Sequence, residues 1–274
     1  MTAAITATDL VLSYGSKVAL DRSSFEIPRG SLTAVIGPNG SGKSTLLGGL
    51  AGLIEPASGG VTVHDEAALA YVLQATKVNE ALPVTVRELV RMGRYPSLGA
   101  FQRLRSGDRE MVDAAMADVG ITDLAGLHLH ELSGGQRQRV FLAQGIAQDH
   151  DIMLLDEPLT GLDISSAQAI DAVIHHAIAR ACTVVLTTHD LTSARAADHV
   201  LLLAGRVVVS GPPEEALTPA RLRAAYGPSL MHLEGDEDLF IDDPAHIPVP
   251  GRHLHRERTI HIEGAEAELH GGHE

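Results

Sequence analysis

Apolar residues along the chain come in short blocks, punctuated by glycine, proline and charged clusters, and the blocks alternate between strand and helix periodicity. Ala4 to Leu12 and Val18 to Ile27 carry β-rich patterns broken by Gly15 and by Pro28-Arg29-Gly30. Leu32 to Ile36 reads as a buried strand and Thr45 to Leu53 as a helix. Glu55 to Gly60 is a turn cluster, with short strands expected at Val61–Val63 and at Leu69–Leu73, the latter ending on Gln74. Residues 75–131 read as a helical insertion. Within it, Thr85-Val86-Arg87-Glu88 has capping-box spacing and opens a helix that stops near Gly93. Asp108 to Val119 places Met111, Val112, Ala115, Met116 and Val119 on one helical face, with Gly120 as terminator. Met92 to Gly99, between the two helices, is loop-like. Farther on come a buried strand at Ile152–Leu155, an amphipathic helix at Ala167–Ala179, a strand at Val184–Leu186, a hairpin of Val200–Leu203 and Val207–Val209 around Ala204-Gly205, and helical material from Glu214 to Tyr226.

One junction in this pattern carries chemistry. Between the strand at Leu32–Ile36 and the helix that follows lies Gly37-Pro38-Asn39-Gly40-Ser41-Gly42-Lys43-Ser44, the P-loop spacing in its required strand–loop–helix context. Glycines let backbone N–H groups converge on phosphate oxygens, and the helix start adds unpaired N–H groups and a partial positive charge. Lys43 can reach the β- and γ-phosphates, and the Ser44 hydroxyl can ligate Mg²⁺. Two further places fit a phosphate site. Leu132-Ser133-Gly134-Gly135-Gln136 combines an N-cap serine with a pair of glycines. Asp156-Glu157 ends a buried-type strand, where a metal ion and a general base belong.

Composition narrows the possibilities. The net charge of −14 argues against a broad nucleic-acid surface. Cys182 is the single cysteine, which excludes an internal disulfide and fits a reducing compartment; it lies in an apolar run, as an inert core thiol would. No stretch reaches the roughly 18 consecutive apolar residues of a membrane span, and the first residues lack a signal-peptide pattern. The expected location is therefore cytosolic unless a partner holds the chain at a membrane. His175 and His176 are adjacent on a helix, point about 100° apart, and read as surface residues.

The order of these motifs resembles the nucleotide-binding subunit of ATP-binding-cassette (ABC) transporters over residues 4–227, with Leu132-Ser133-Gly134-Gly135-Gln136 matching the family signature. The resemblance implies an α/β fold: a P-loop NTPase with a RecA-like parallel-sheet core, an N-terminal antiparallel β subdomain and a helical signature subdomain at about 75–135. It implies an ATPase using ATP and Mg²⁺. Tyr14 would stack on adenine, and Gly37, Pro38, Asn39, Gly40, Ser41, Gly42, Lys43, Ser44 and Thr45 would bind the phosphates. Ser44, Gln74 and Asp156 would attend the metal, Gln74 also sensing the attacking water. Glu157 would be the general base, His189 would contact the γ-phosphate, and Asp163 would belong to the loop that talks across the dimer. Ser133, Gly134, Gly135 and Gln136 would act in trans on the ATP held by a second subunit. The implied assembly is a dimer, most simply a homodimer, carried at the cytoplasmic face by permease chains and served indirectly by a solute-binding protein, with no nucleic acid. The stretch Glu55–Gln74 looks shorter than the family's usual one and leaves the strand count of the N-terminal sheet open.

Met92-Gly93-Arg94-Tyr95-Pro96-Ser97-Leu98-Gly99 resembles the insertion of metal-ion and iron-siderophore importers, most of all the zinc and manganese group. The alternative cargo is an iron-siderophore or haem. A soluble ABC ATPase acting on nucleic acid or the ribosome ranks behind both, since such relatives carry two cassettes or a long coiled coil. Residues 228–274 form an acidic extension; from 232 onward it holds seven of the fifteen histidines and eleven Asp or Glu against three Arg. Imidazole and carboxylate suit Zn²⁺, with His253, His255 and His261 as candidates, and a solvated acidic tail is the competing reading.

Overall fold

Two long strands open the chain, β1 (Ala3–Tyr14) and β2 (Lys17–Pro28), joined through Gly15 at φ 58°. Then come β3 (Leu32–Ile36), α1 (Lys43–Leu50), β4 (Pro56–Val63) and β5 (Leu69–Val72). The helices α2 (Val86–Met92), α3 (Ser106–Asp118) and α4 (Gly134–Ile146) follow. The rest is β6 (Ile152–Leu155), α5 (Ile164–Ala179), β7 (Thr183–Thr188), α6 (Leu191–Arg195), β8 (His199–Leu203), β9 (Val207–Gly211), α7 (Pro213–Ala216) and α8 (Pro219–Tyr226), with β10 (Leu230–His232) and β11 (Leu239–Ile241) paired as a hairpin. The computed structural model describes residues 2–73, 83–97, 104–227, 230–232 and 239–241, and residues Met1–Asp242 belong to one compact unit.

The central sheet has the order β5-β6-β7-β3-β8-β9, parallel except for β9. The second sheet is antiparallel, in the order β2-β1-β4. Successive side chains of a strand point to opposite faces, and the central strands are apolar on both. Ala34 and Ile36 of β3 therefore join one core with Met153 and Leu155 of β6, beneath α2 to α5. Val35, with Ile152 and Leu154, joins the other, which the antiparallel sheet and α1 close. Neither core requires a glycine or proline in these strands, and the short apolar runs of the sequence are enough to specify them.

The N-terminal region departs from the expected element boundaries. Residues 56–60, expected as a turn, are the first half of β4. β4 is an edge strand of its sheet, where Pro56 at the first position breaks no ladder. Gly59, at φ 70°, lies so close to β1 that a Cβ there would sit 2.2 Å from the Asp9 carbonyl oxygen, so its glycine is demanded by pairing rather than by a loop. The P-loop helix is also shifted, starting at Lys43 and ending at Leu50 before Gly52 at φ 70°. α5 begins three residues earlier than the expected start at Ala167, because Asp163 caps it by accepting the Ser166 N–H at 2.9 Å. The β hairpin of β8 and β9 and the capping box at Thr85 and Glu88 stand where the pattern placed them. Cys182 is buried, and burial pushes its thiol up to about 11. His175 and His176 are exposed. Among the described residues no helix is long and apolar enough to cross a membrane. The histidines at 253, 255 and 261 and the rest of the acidic extension beyond 241 lie outside the described residues.

Candidate nucleotide site

β3 delivers the chain into a turn in which the Ser41 N–H donates to the Pro38 carbonyl at 3.1 Å. Gly40 and Gly42 have φ of 77° and 99°, conformations that L side chains resist. Gly37 is needed for a different reason: a Cβ there would lie 2.3 Å from the Leu203 carbonyl oxygen of β8. We expect Gly37→Ala to destabilise the protein by about 1–3 kcal/mol and to weaken nucleotide binding, measured by urea unfolding and by fluorescent-nucleotide titration. α1 starts at this loop with no side-chain cap and no acidic residue in its first turn, which leaves its positive end to an anion.

Lys43 is buried, and its ammonium donates to the carbonyls of Gly37 at 2.7 Å and Pro38 at 3.1 Å. Burial lowers its pKa, with Glu157 and Asp156 working in the opposite direction. The Ser41 hydroxyl oxygen is buried without a hydrogen-bond partner among the described residues. A buried cation wrapped by carbonyls and an orphaned hydroxyl in one loop fit a polyanion such as a nucleotide's phosphates.

Strand register sets the acidic side. Leu155 of β6 stands beside Leu186 of β7, and Ile36 of β3 beside Thr188 of β7, so three strand ends share one edge. There Asp156, 1% exposed, accepts the Ser44 hydroxyl at 3.0 Å and the Thr187 hydroxyl at 2.9 Å on the same oxygen. The Glu157 N–H donates to the Thr187 hydroxyl at 2.7 Å, and Glu157 itself has φ 48°, a conformation that turns the chain out of the strand. Ser44, Asp156 and Thr187 form a set of hard oxygen donors that suits Mg²⁺ better than a softer ion.

A cleft of about 700 Å³ opens over the loop, and its walls include Tyr14, Asn39, Lys43, Ser44, Thr45 and Glu157. Tyr14 is 58% exposed, so its ring is available to a ligand. His189 is exposed after β7 and is not part of these walls. Gln74 lies outside the described residues.

Ser133, Gly134, Gly135 and Gln136 form a second cluster, and none of them lines the cleft. Ser133 caps α4: the Gln136 N–H donates to its hydroxyl at 3.2 Å, and its own N–H donates to the Gln136 side-chain oxygen at 2.9 Å. Ser133 and Gly134 are exposed, whereas Gly135 is buried against the start of α5, where a Cβ would sit 2.7 Å from the Ser166 hydroxyl and 3.2 Å from an Asp163 carboxylate oxygen. Asp163 accepts from the Ser166 N–H, the Ser165 hydroxyl at 2.7 Å and the Ser166 hydroxyl at 3.0 Å, which together hold its carboxyl at about 2. The chain thus presents a phosphate-type cleft and, apart from it, an exposed serine–glycine helix start joined to Asp163. Thr187 and Ser166 are the participants that sequence reasoning missed. The signal for Thr187 was only that it follows the expected strand Val184–Leu186, as Asp156 follows Ile152–Leu155; Ser166 had none beyond its distance from Asp163.

Residues 20–160 match the family model described as ABC transporter. The manganese transport system ATP-binding protein MntB of Listeria monocytogenes is 37% identical over 225 residues, spanning 80% of this chain and 94% of the relative. The zinc transport system ATP-binding protein TroB of Treponema pallidum is 40% identical over 258 residues, 90% of this chain and 96% of the relative. The ferric enterobactin transport ATP-binding protein FepC of Escherichia coli is 40% identical over 247 residues, 86% and 88%. Among solved structures, an inward-facing metal-chelate type ABC transporter superposes with TM-score 0.74 at 30% identity, covering 82% of this chain and 89% of the other. With a P-loop cleft, a strand-end Asp-Glu pair and a separate serine–glycine helix start in one α/β unit, the chain belongs to the ABC transporter family, as its ATP-binding and ATP-hydrolysing subunit.

Proposed function

We propose that the subunit powers uptake of a divalent transition metal, manganese or zinc, as one of a pair of cassettes bound to membrane permease chains at the cytoplasmic face. The observation that carries the cargo reading is the likeness to manganese and zinc system ATP-binding proteins along at least four-fifths of the chain. Uptake of a ferric siderophore is the second reading, favoured by the 40% identity to FepC.

In this reading ATP lies in the cleft with its base on Tyr14 and its phosphates on the N–H groups of residues 37–45. Lys43 leaves the Gly37 and Pro38 carbonyls for the β- and γ-phosphates. Ser44 and Asp156 would hold Mg²⁺, and Gln74 would attend it; the ion would supply charge neutralisation when bound. Glu157 takes the proton of the attacking water, with its main chain fixed through Thr187. His189 contacts the γ-phosphate. Thr187 links the Asp156 carboxylate to the Glu157 main chain in one hydrogen-bonded unit. Ser133 and Gly135 of the second copy complete the site from across the dimer. This division is supported by the separation of the signature cluster from the cleft of its own chain. The part of residues 228–274 in the cycle is regulatory or none.

The cargo is tested by reconstituting the chain with its permease and solute-binding partners in liposomes. Stimulation of ATP hydrolysis and uptake of Mn²⁺ or Zn²⁺ is the expected result, while stimulation by a ferric siderophore alone would replace it with the second reading.

A further inference from the structure

α3 and α4 are tied together at two places by arginines. Arg139 of α4 donates to the carbonyls of Val119 at 3.2 Å and Gly120 at 3.1 Å, which close the C-terminal end of α3. The other tie is Arg94, which follows α2 and is 5% exposed. Its Nε donates to Asp108 Oδ1 at 3.1 Å, its Nη1 to the Ala147 carbonyl at 2.8 Å, and its Nη2 to Asp149 Oδ2 at 3.1 Å. Asp108 also accepts the Arg105 N–H at 2.9 Å and so caps α3. Ala147 is the residue that closes α4. Asp149 belongs to the connection between α4 and β6, the strand that ends in Asp156-Glu157. One guanidinium therefore grips the start of α3, the end of α4 and the approach to the acidic strand. Gly93 makes the grip possible: a Cβ there would lie 2.3 Å from the Gln144 carbonyl oxygen, so the end of α2 can press directly on the last turn of α4.

The opposite end of α4 is Ser133-Gly134-Gly135. A helix of 13 residues is about 20 Å long and stiff over that length, so fixing one end and the middle fixes the other. We propose that Arg94 is a positioning residue for the signature: it holds the far end of α4 so that Ser133 and Gly135 meet the γ-phosphate of the partner copy. The three acceptors described for it, one on each guanidinium nitrogen, require the planar fork, which a lysine cannot reproduce. The proposal rests on the trans role of the signature proposed above.

The test uses the full chain in a Glu157→Gln background, where ATP is expected to drive stable dimer formation. ATP-dependent dimerisation is read by analytical ultracentrifugation, and ATP binding to the monomer by nucleotide titration at low protein concentration. Arg94→Ala should leave monomer ATP affinity within about twofold and weaken ATP-driven dimerisation roughly tenfold or more, the scale of lost charged hydrogen bonds. Arg94→Lys should fall between. Asp149→Asn, which touches only an exposed arm of the cluster, should give a smaller loss of the same kind without a loss of folding. A lowered melting temperature with dimerisation unchanged at 10–15 °C below it, in both Arg94→Lys and Asp149→Asn, would make the cluster merely structural and overturn the proposal. Failure of Glu157→Gln itself to dimerise would instead overturn the trans reading on which it rests.

Discussion

Glu157→Gln is expected to bind ATP as the parent does, to lose turnover by about 10²–10⁴-fold, and to accumulate as an ATP-bound dimer. The substitution keeps the volume of the side chain and removes its negative charge together with its capacity to accept a proton. It also leaves untouched the feature that shapes this corner, the backbone turn at φ 48° fixed by the Glu157 N–H on the Thr187 hydroxyl at 2.7 Å. A change of chemistry without a change of shape is the condition for reading a rate loss as loss of a base. Steady-state phosphate release measures the turnover, and size-exclusion chromatography with and without Mg-ATP measures the dimer. Turnover at the parental rate would remove Glu157 from the role of base.

Lys43→Ala is expected to lower ATP hydrolysis by about 10²–10³-fold or more, mainly through lost phosphate binding, while leaving the fold in place. The ammonium is buried, yet the hydrogen bonds described for it go to carbonyls of its own loop, Gly37 and Pro38. Removing it relieves the cost of burying a cation, a cost seen in its lowered pKa. The unfolding midpoint in the absence of nucleotide should therefore stay near the parental value, and the stabilisation that Mg-ATP confers on the parent should vanish. A variant that melts normally and is still stabilised by Mg-ATP would show that the phosphates are held without Lys43.

Much of this was legible before any coordinates. The P-loop, the capping box at Thr85, the N-cap Ser133 and the strand-end Asp156-Glu157 are local signals: each is a few consecutive residues whose spacing states what the backbone must do. What could not be read is non-local. The first part of β4, residues 56–60, was hidden because Gly59 answers to the backbone of β1, some fifty residues earlier in the chain. Gly37 looks like an ordinary loop glycine until the Leu203 carbonyl of β8 is found against it. Thr187 becomes part of the site only through the register of β6 on β7, and Arg94 only when α3, α4 and Asp149 close around it. In each case the missing information was which distant segment would arrive, and single-sequence periodicity does not encode that.

The division of β3 between two cores has a mechanical meaning. Val35 faces one hydrophobic layer, Ala34 and Ile36 the other, and the phosphate loop hangs from the last of them. A five-residue partition wall is thus common to both halves of the molecule, and neither half can loosen without slackening the mount of the loop. Thermal motion that opened the antiparallel layer alone, or the helical layer alone, would be felt at once by the bound phosphates, so nucleotide occupancy and the integrity of both layers must rise and fall together.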